Sequence, residues 1–315
     1  MNAASAKMMN ISICIATYRR CESLNALLGD LAQQQRKPDE VIVVDNDACG
    51  SARSVVERWR NSALPFPIRY DIQPLKNISL TRNRTVELAS GDWIAFIDDD
   101  ERAPESWLLL LTLAVLRFDA DGILGPVEPV VPADAPRWIR RGHFYDWARM
   151  SSGATIQRNK LRFGNLLLRG ALLRSGTPPF DPAHGLTGGE DGDLLARLAQ
   201  QGARFIWCDE ALVREPVASD RLSLHWLLRR AMRGGQDFAR HNFSGHYGQP
   251  TQLRRVRLFM RSLLQLTIAV VLAALIWPAG RHHAARWLIK AAANIGKLSA
   301  FWGWHYREYA GVPTS

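Results

Sequence analysis

Asp98, Asp99, Asp100 and Glu101 are four consecutive acids placed directly after the apolar run Trp93–Ile97. The run has the length and the aromatic and β-branched content of a buried strand. In an open α/β sheet the carboxyl ends of the strands face the ligand crevice. A dense block of negative charge is therefore expected on the lip of that crevice. Strand alternation sends Asp98 and Asp100 to one side and Asp99 to the other. Carboxylates this close repel, and a hard divalent ion relieves them, because Mg²⁺-type ions take one or two carboxylates plus substrate phosphate oxygens. Asp98 and Asp100 are thus expected to hold Mg²⁺ or Mn²⁺ against a phosphate-bearing substrate. A solvated acidic turn is the alternative, which the preceding strand disfavours.

Two earlier apolar runs end in polar groups that can share the crevice. Ile11–Ala16 leads into Thr17, Tyr18, Arg19 and Arg20, and Glu40–Val44 leads into Asp45, Asn46 and Asp47. A third helix, capped by Ser79, brings Arg82 and Asn83 in its first turn, where the helix N-terminus and the arginine both suit an anion. Together these groups describe a nucleotide pocket, with an aromatic and a carboxylate for base and ribose and an arginine and a metal for diphosphate. No GxGxxG or GxxxxGK[ST] follows the first strand, so neither the dinucleotide fingerprint nor the P-loop is present.

These sites need a doubly wound frame. Leu24, Leu27, Leu28 and Leu31, then Ala52, Val55, Val56 and Trp59, recur at helical spacing between the strands. Strands alternating with helices imply parallel pairing and right-handed crossovers. Ser106–Phe118 reads as a core helix, and Gly122–Val127, Phe163–Arg169 and Arg204–Cys208 as further strands. Arg137–Trp147 interleaves aromatics with polar residues, as a sugar-binding face does, or as a packed loop does. In Gly185–Arg197, leucines mark a helix from about Asp191 to Gln201, with Glu190 and Asp191 at its entry after two glycines. Acids are favoured there as caps whatever their function. Ser223 can cap a helix running to Arg240, on which Arg229 and Arg233 lie four apart with Arg230 beside them. They form either a basic exposed face or cations that close over phosphate.

The runs ISICIATYRR, VIVVDND and NISLTRNRTVELASGDWIAFIDDDE resemble the nucleotide-binding half of the family 2 glycosyltransferases of GT-A fold, and in particular the bacterial succinoglycan-type exopolysaccharide glucosyltransferases. The resemblance extends from about Ile11 to Arg240. It implies that UDP-sugar is the donor and that Thr17 and Asp45 contact the uracil nucleotide. Around them Tyr18, Arg19, Asn77, Arg82, Asn83, Asp98 and Asp99 are expected, with Arg229, Arg230 and Arg233 as basic residues for phosphate. It implies that Asp98 and Asp100 handle the metal–diphosphate. The Gly-Gly-Glu-Asp run is similar to the family's catalytic-base motif, with Asp191 as base and Glu190 beside it. The QxxRW form of processive relatives is absent, which argues for single addition. The activity so implied is inverting transfer of glucose or a related hexose to a lipid-linked, polyprenyl diphosphate saccharide in exopolysaccharide synthesis.

The chain has 315 residues, 47% of them hydrophobic, and a net charge of +10. Residues 254–315 carry nine Lys/Arg against Glu308 alone, a balance of +8, so the first 253 residues are near neutral. That distribution excludes a nucleic-acid-binding body and points the tail at an anionic membrane surface. Four cysteines without CxxC spacing give no zinc site or disulfide framework. No apolar stretch precedes Ile11, so no signal peptide is expected, and the catalytic body should face the cytosol. Ser262–Trp277 is sixteen uncharged residues, short of the roughly 20 a span requires, with arginines on both flanks. A second helix is expected from Ala284 to about Trp304. Together they suggest a monotopic or re-entrant pair on the cytoplasmic face of the inner membrane. A helical cap or homodimer interface is the non-membrane alternative. The expected domains are a GT-A domain over 1–245, divided into nucleotide-binding (10–125) and acceptor (126–245) halves, and a membrane-associating module over 246–315. Two rivals are an aspartyl-phosphate phosphatase, which usually has Thr or Val where Glu101 stands, and a catalytically silent saccharide-binding scaffold.

Overall fold

The computed structural model describes residues 9–174, 177–185 and 188–304. The start read above for a signal peptide, Arg307 and Glu308 of the charged tail, and Leu186 and Thr187 of the Gly185–Arg197 run lie outside the described residues. The described chain divides into two compact units, one of residues 9–128 and 147–215 and one of residues 129–146 and 216–304.

The first unit is a mixed α/β sheet flanked by helices. β1 (Ile11–Thr17), β2 (Glu40–Asp45), β3 (Ile68–Ile72) and β4 (Trp93–Phe96) alternate with α1 (Cys21–Ala32), α2 (Arg53–Arg60) and α3 (Ile78–Leu88). α4 (Trp107–Arg117), β5 (Gly122–Leu124), β6 (Val127–Val130), β7 (Leu166–Arg169), α6 (Glu190–Gln200), β8 (Phe205–Trp207) and β9 (Val213–Pro216) follow, with α5 (Arg137–Gly142) belonging to the other unit. The seven-stranded sheet runs β3-β2-β1-β4-β7-β5-β8, and β6 pairs β9 separately. β1 to β4 pair in parallel as expected. β7, expected as a further strand with no direction assigned, lies antiparallel between β4 and β5. The apolar run Leu166–Leu168 is buried on both faces like its neighbours, and such a run carries no mark of direction. Asn165, just ahead of it, fixes the entry. Its carbonyl takes the Trp107 indole at 2.8 Å and its amide donates to Pro126 O at 3.0 Å.

The core lies on both faces of the sheet. One face gathers Ile11, Ile13, Ile15, Leu27, Val41, Val43, Trp107 and Leu111, and the other Ile42, Val44, Ile94, Phe96, Phe180, Leu195 and Phe205. The end of the sheet away from the acids is tied by one buried carboxylate. Glu40 Oε1 accepts from Ser12 Oγ at 2.6 Å, from the Ser90 amide at 2.6 Å and from Ser90 Oγ at 2.7 Å, while Arg69 lies 3.1 Å from Oε2. Ser12 Oγ in turn accepts the Gly91 amide at 2.8 Å. A Cβ at Gly91 would sit 2.6 Å from the Ser12 backbone nitrogen, so only glycine fits there.

The second unit is helical. α5, α7 (Leu224–Phe243), α8 (Gln252–Ile276) and α9 (Arg281–Ser299) are its main elements. Ser223 caps α7 by accepting the Trp226 amide, as its position predicts. α8 extends the sixteen-residue apolar run backwards through Arg254–Arg261, because nothing in that basic stretch breaks a helix. α9 packs on both α7 and α8. Its closest approach to α7 is at two glycines: a Cβ on Gly235 would meet Ala293 O at 2.0 Å, and one on Gly296 would meet Met232 O at 1.9 Å.

The Glu40 knot has a pH signature. Burial alone would raise this carboxyl, but the Ser12 and Ser90 hydrogen bonds and the Arg69 charge outweigh it and hold it below its ordinary 4.5. A depressed folded-state value means that the stabilisation is present above pH 4.5 and lost as pH falls through the folded value. Glu40→Gln should lower unfolding stability by about 1–3 kcal/mol at pH 7. The deficit should shrink between pH 7 and an acid pH below the folded value, where the wild-type carboxyl is itself neutral. Denaturant unfolding at the two pH values checks this, and an equal deficit at both would contradict it.

Candidate active site

β1, β2 and β4 deliver their polar residues to one end of the sheet, since all three run parallel. There the block 98–101 folds back on itself. The Glu101 amide donates to Asp98 O at 3.1 Å, and Glu101 Oε2 accepts the Asp98 amide at 3.2 Å. Glu101 is 2% exposed. Burial, with the Asp98 charge beside it, holds its carboxyl well above the usual range. It backs the turn from inside, beneath the three aspartates.

Asp99 is the inward-turned member, as strand alternation requires. Thr17 Oγ1 donates to its Oδ2 at 2.7 Å and Arg20 to its Oδ1 at 2.9 Å. Burial pushes this carboxyl up to about 6, against the pull of Arg20. The same Arg20 nitrogen reaches Asp100 Oδ2 at 2.8 Å. Asp98 has a side chain 46% exposed and accepts from Arg82 at 3.2 Å. Water touches its tip while protein crowds its base, and that crowding raises its carboxyl. Arg82 lowers it, and the neighbouring Asp100 and Asp191 charges raise it further.

Arg82 joins this turn to the second acidic centre. It is 10% exposed in its side chain, and its other arm donates to Glu190 Oε1 at 2.6 Å. Its guanidinium lies 4.3 Å from the centroid of Phe163 and 5.9 Å from that of Phe180. Phe96, the last residue of β4, packs 4.8 Å from Phe163 and 6.0 Å from Phe180. The three rings form an aromatic box beneath the cation. Such a setting strengthens the ion pairs and adds cation–π attraction of about 0.5–2 kcal/mol.

The rest of α3 serves the same junction. Asn77 caps the helix by accepting the Leu80 amide at 3.1 Å, displacing the expected Ser79, and its amide donates to Pro182 O at 3.0 Å. Asn83, 4% exposed, exchanges two hydrogen bonds with the Phe180 backbone, at 2.7 and 2.9 Å. Asn77, Arg82 and Asn83 thus hold the segment 180–190 onto α3. That segment ends in Gly188 and Gly189, both at positive φ, and α6 opens at Glu190. Asp191 is half-buried in the first turn, its Oδ1 accepting the Gly192 amide at 2.7 Å. Asp193 pairs with Arg197 at 2.9 Å along the helix face.

On the nucleotide side, Asp45 is fully buried. Its oxygens take the Asp47 amide at 2.9 Å, the Ala52 amide at 2.7 Å and the Tyr70 hydroxyl at 3.1 Å, so it shapes the loop 45–52 from within. Asp47 pairs with Arg19 at 3.0 Å, and that hydrogen bond holds its carboxyl below the usual range. Arg19 itself sits at φ 54°, a left-handed conformation costing a non-glycine residue about 1–3 kcal/mol. Tyr18 stands between two cations, with Lys76 Nζ 4.9 Å and the Arg19 guanidinium 5.3 Å from its ring. Arg229, Arg230 and Arg233 lie on α7 in the helical unit, the first two exposed and the third half-buried. Arg20 and Glu101 were noted at the strand ends without a role of their own, and Lys76 and the Phe box were not read from the sequence. Arg20 and Lys76 had a signal in being cations beside residues already singled out. The box had none, because Phe96, Phe163 and Phe180 are far apart in the chain.

A parallel nucleotide-binding half, one inserted antiparallel strand and an acid pair at the central strand's end define a nucleotide-sugar-binding transferase architecture. The comparisons agree. Residues 12–172 match the Glycosyl transferase family 2 profile. Succinoglycan biosynthesis protein ExoM of Rhizobium meliloti is 37% identical over 240 residues, covering 74% of this chain and 75% of that one. The chain belongs to glycosyl transferase family 2. In fold it is similar to mannosyltransferase PcManGT of Pyrobaculum calidifontis, crystallised with GDP-Man and Mn²⁺. That match has a TM-score of 0.62 and 18% identity and covers 94% of this chain and 88% of that one. It is also similar to residues 1–349 of S. aureus TarS in complex with UDP-GlcNAc, with a TM-score of 0.54 and 18% identity over 95% and 93% of the two chains.

Proposed function

We propose that this enzyme transfers a hexose, with inversion, from a UDP-sugar to a saccharide carried on polyprenyl diphosphate, at the cytoplasmic face of the inner membrane. The observation that carries this reading is the Arg82 junction, in which the strand-end acid Asp98 and the entry of the Glu190-Asp191 helix share one buried guanidinium. A donor's diphosphate side and an acceptor's proton acceptor are thereby held in one place. The kinship with a succinoglycan biosynthesis protein supports surface-polysaccharide assembly. UDP-GlcNAc and GDP-Man with Mn²⁺ in the similar structures support a nucleotide-sugar donor and a divalent cation.

In this reading Thr17, Tyr18, Arg19 and the loop shaped by Asp45 frame the nucleoside, and Lys76 adds charge for the phosphates. Asp98 and Asp100, paired here with Arg82 and Arg20, offer hard oxygen donors of the kind a divalent cation takes. Such an ion neutralises charge gathering on the departing diphosphate. Arg229, Arg230 and Arg233 are proposed phosphate cations on α7. Asp191 takes the proton from the attacking hydroxyl. Glu190 acts through Arg82 and keeps the helix entry in register with Asp98.

α8 is the proposed membrane element. Leu253, Val256, Met260, Leu264, Val271 and Leu275 are all more than half exposed and follow helical spacing along one stripe. Ser262, Ala269 and Ala273 are its buried residues. Arg254, Arg255, Arg257 and Arg261 lie within its first ten positions, leaving fifteen uncharged residues, Ser262–Ile276. A one-sided stripe with basic neighbours suits a helix lying in an anionic interface rather than crossing it.

Two outcomes follow. Asp191→Asn should lower kcat by about 10²–10⁴-fold with UDP-sugar affinity close to wild type. Glu190→Gln should cost less in kcat and more in stability. Wild-type turnover by Asp191→Asn would remove it as the base. Separately, polarity-sensitive probes on cysteines placed at 253, 264 and 275 should report similar shallow depths in anionic vesicles. A deep 264 between shallow ends would mean that α8 spans the bilayer.

A further inference from the structure

The two arginines at the acid turn are held in different ways. Arg82 has a side chain 10% exposed, with Phe163 and Phe180 along its guanidinium and a second arm committed to Glu190. Arg20 has a side chain 44% exposed. It stands at the entry of α1, where its carbonyl accepts the Leu24 amide at 3.0 Å, so its backbone is fixed while its side chain borders water.

One nitrogen of Arg20 makes both of its carboxylate contacts. Nη1 donates to Asp99 Oδ1 at 2.9 Å and to Asp100 Oδ2 at 2.8 Å. The two acids are not equivalent. Asp99 has a side chain 5% exposed, and Thr17 Oγ1 donates to its other oxygen at 2.7 Å. Asp100 has a side chain 19% exposed. Asp99 is therefore a fixed post for the guanidinium, and Asp100 is the partner nearer to solvent. A Mg²⁺-type ion bonds carboxylate oxygens at about 2.1 Å and needs their lone pairs open to it. A guanidinium donating to Asp100 Oδ2 uses one of those lone pairs and sets a like charge beside the place an ion would take.

We propose that Arg20 competes with the divalent cation for Asp100 and thereby couples metal uptake to donor binding. Resting on the metal reading of Asp98 and Asp100, Arg20 is a positioning residue that acts through Asp100. It can swing off Asp100 while Nη1 keeps its bond to Asp99, so the exchange gives up one hydrogen bond and moves no backbone. The donor's diphosphate tips the competition. Its oxygens add ligands to the ion, and its negative charge offers the displaced guanidinium a new partner. Metal without nucleotide has to displace Arg20 unaided and binds weakly. By linkage, UDP gains from the metal by the same factor as the metal gains from UDP.

The test is Mn²⁺ binding to the full chain, read by EPR as loss of the free-ion signal, without UDP and with saturating UDP. Arg20→Met keeps the stem and removes the charge. Without UDP it should bind Mn²⁺ about tenfold or more tightly than wild type. With UDP the gain should fall to about threefold or less, so that the coupling between the two ligands shrinks. Arg102→Gln is the charge-matched control, since Arg102 follows the acid block but pairs with Asp30. It should stay within about threefold of wild type, as an exposed charge acting at a distance does. An unchanged or weaker Mn²⁺ affinity in Arg20→Met, or an equal gain in Arg102→Gln, overturns the proposal and leaves the metal reading standing. A wild-type chain that takes up no Mn²⁺ even with UDP overturns the metal reading and the proposal with it. Wild type also answers directly if Arg20→Met does not fold. The Arg20 Nε resonance in ¹⁵N NMR, assigned by Arg20→Lys, should shift saturably as Mg²⁺ is added to the UDP-saturated chain, and a resonance that stays in place overturns the exchange.

Discussion

A single buried guanidinium sets the arrangement of the catalytic unit. Arg82 holds Asp98 with one arm and Glu190 with the other, across 108 residues of chain in the second case. Both acids gain from it, the buried Glu190 more than the half-exposed Asp98, since a buried charge is costly without a partner. The cation is equally dependent on them, because Phe163 and Phe180 exclude water from its flanks. Breaking such a pair by removing one partner costs about 3–5 kcal/mol. The chain accepts this vulnerability, and the consequence is that the central strand's acid turn and the entry of the Gly-Gly-Glu-Asp helix cannot drift independently.

The same logic extends along α3. Asn77, the N-cap, and Asn83, next to Arg82, use side-chain amides to hold the backbone at Pro182 and Phe180. The helix is therefore a rail between two parts of the catalytic unit. Glu101 and Asp45 play matching roles beneath their loops, each buried and each bonded to backbone amides, so that the exposed groups beside them are presented in fixed positions. A preorganised arrangement of this kind is what transition-state stabilisation requires.

Much of this was legible in the sequence. The periodicities of Leu24–Leu31 and Val55–Trp59 gave the helices, and the strand-end position of Asp98–Glu101 followed from the apolar run in front of it. The division of labour among the three aspartates, with Asp99 inward, followed from alternation alone. What could not be read were features set by contacts distant in sequence. The antiparallel insertion of β7 leaves no trace in Leu166–Leu168, whose composition suits either direction. The capture of Arg82 by Glu190 in a box of three phenylalanines is a tertiary event. Sequence placed Arg82 in the first turn of a helix capped by Ser79; with Asn77 as the cap it falls in the second turn, and the anions it meets here are protein carboxylates. In the helical unit, Gly235 and Gly296 look like weak points in helices until their contact with Ala293 and Met232 explains them.

The central claim is mechanical: Arg82 couples the acid turn to the α6 entry. Hydrogen–deuterium exchange of Arg82→Met tests it most directly, because methionine can still fill the aromatic box without charge. The account predicts that amides at 97–101 and at 188–193 both exchange about tenfold faster or more than in wild type, with β1 and β2 unchanged. Unchanged protection at 188–193 would contradict it, and would mean that the helix entry is held without Arg82.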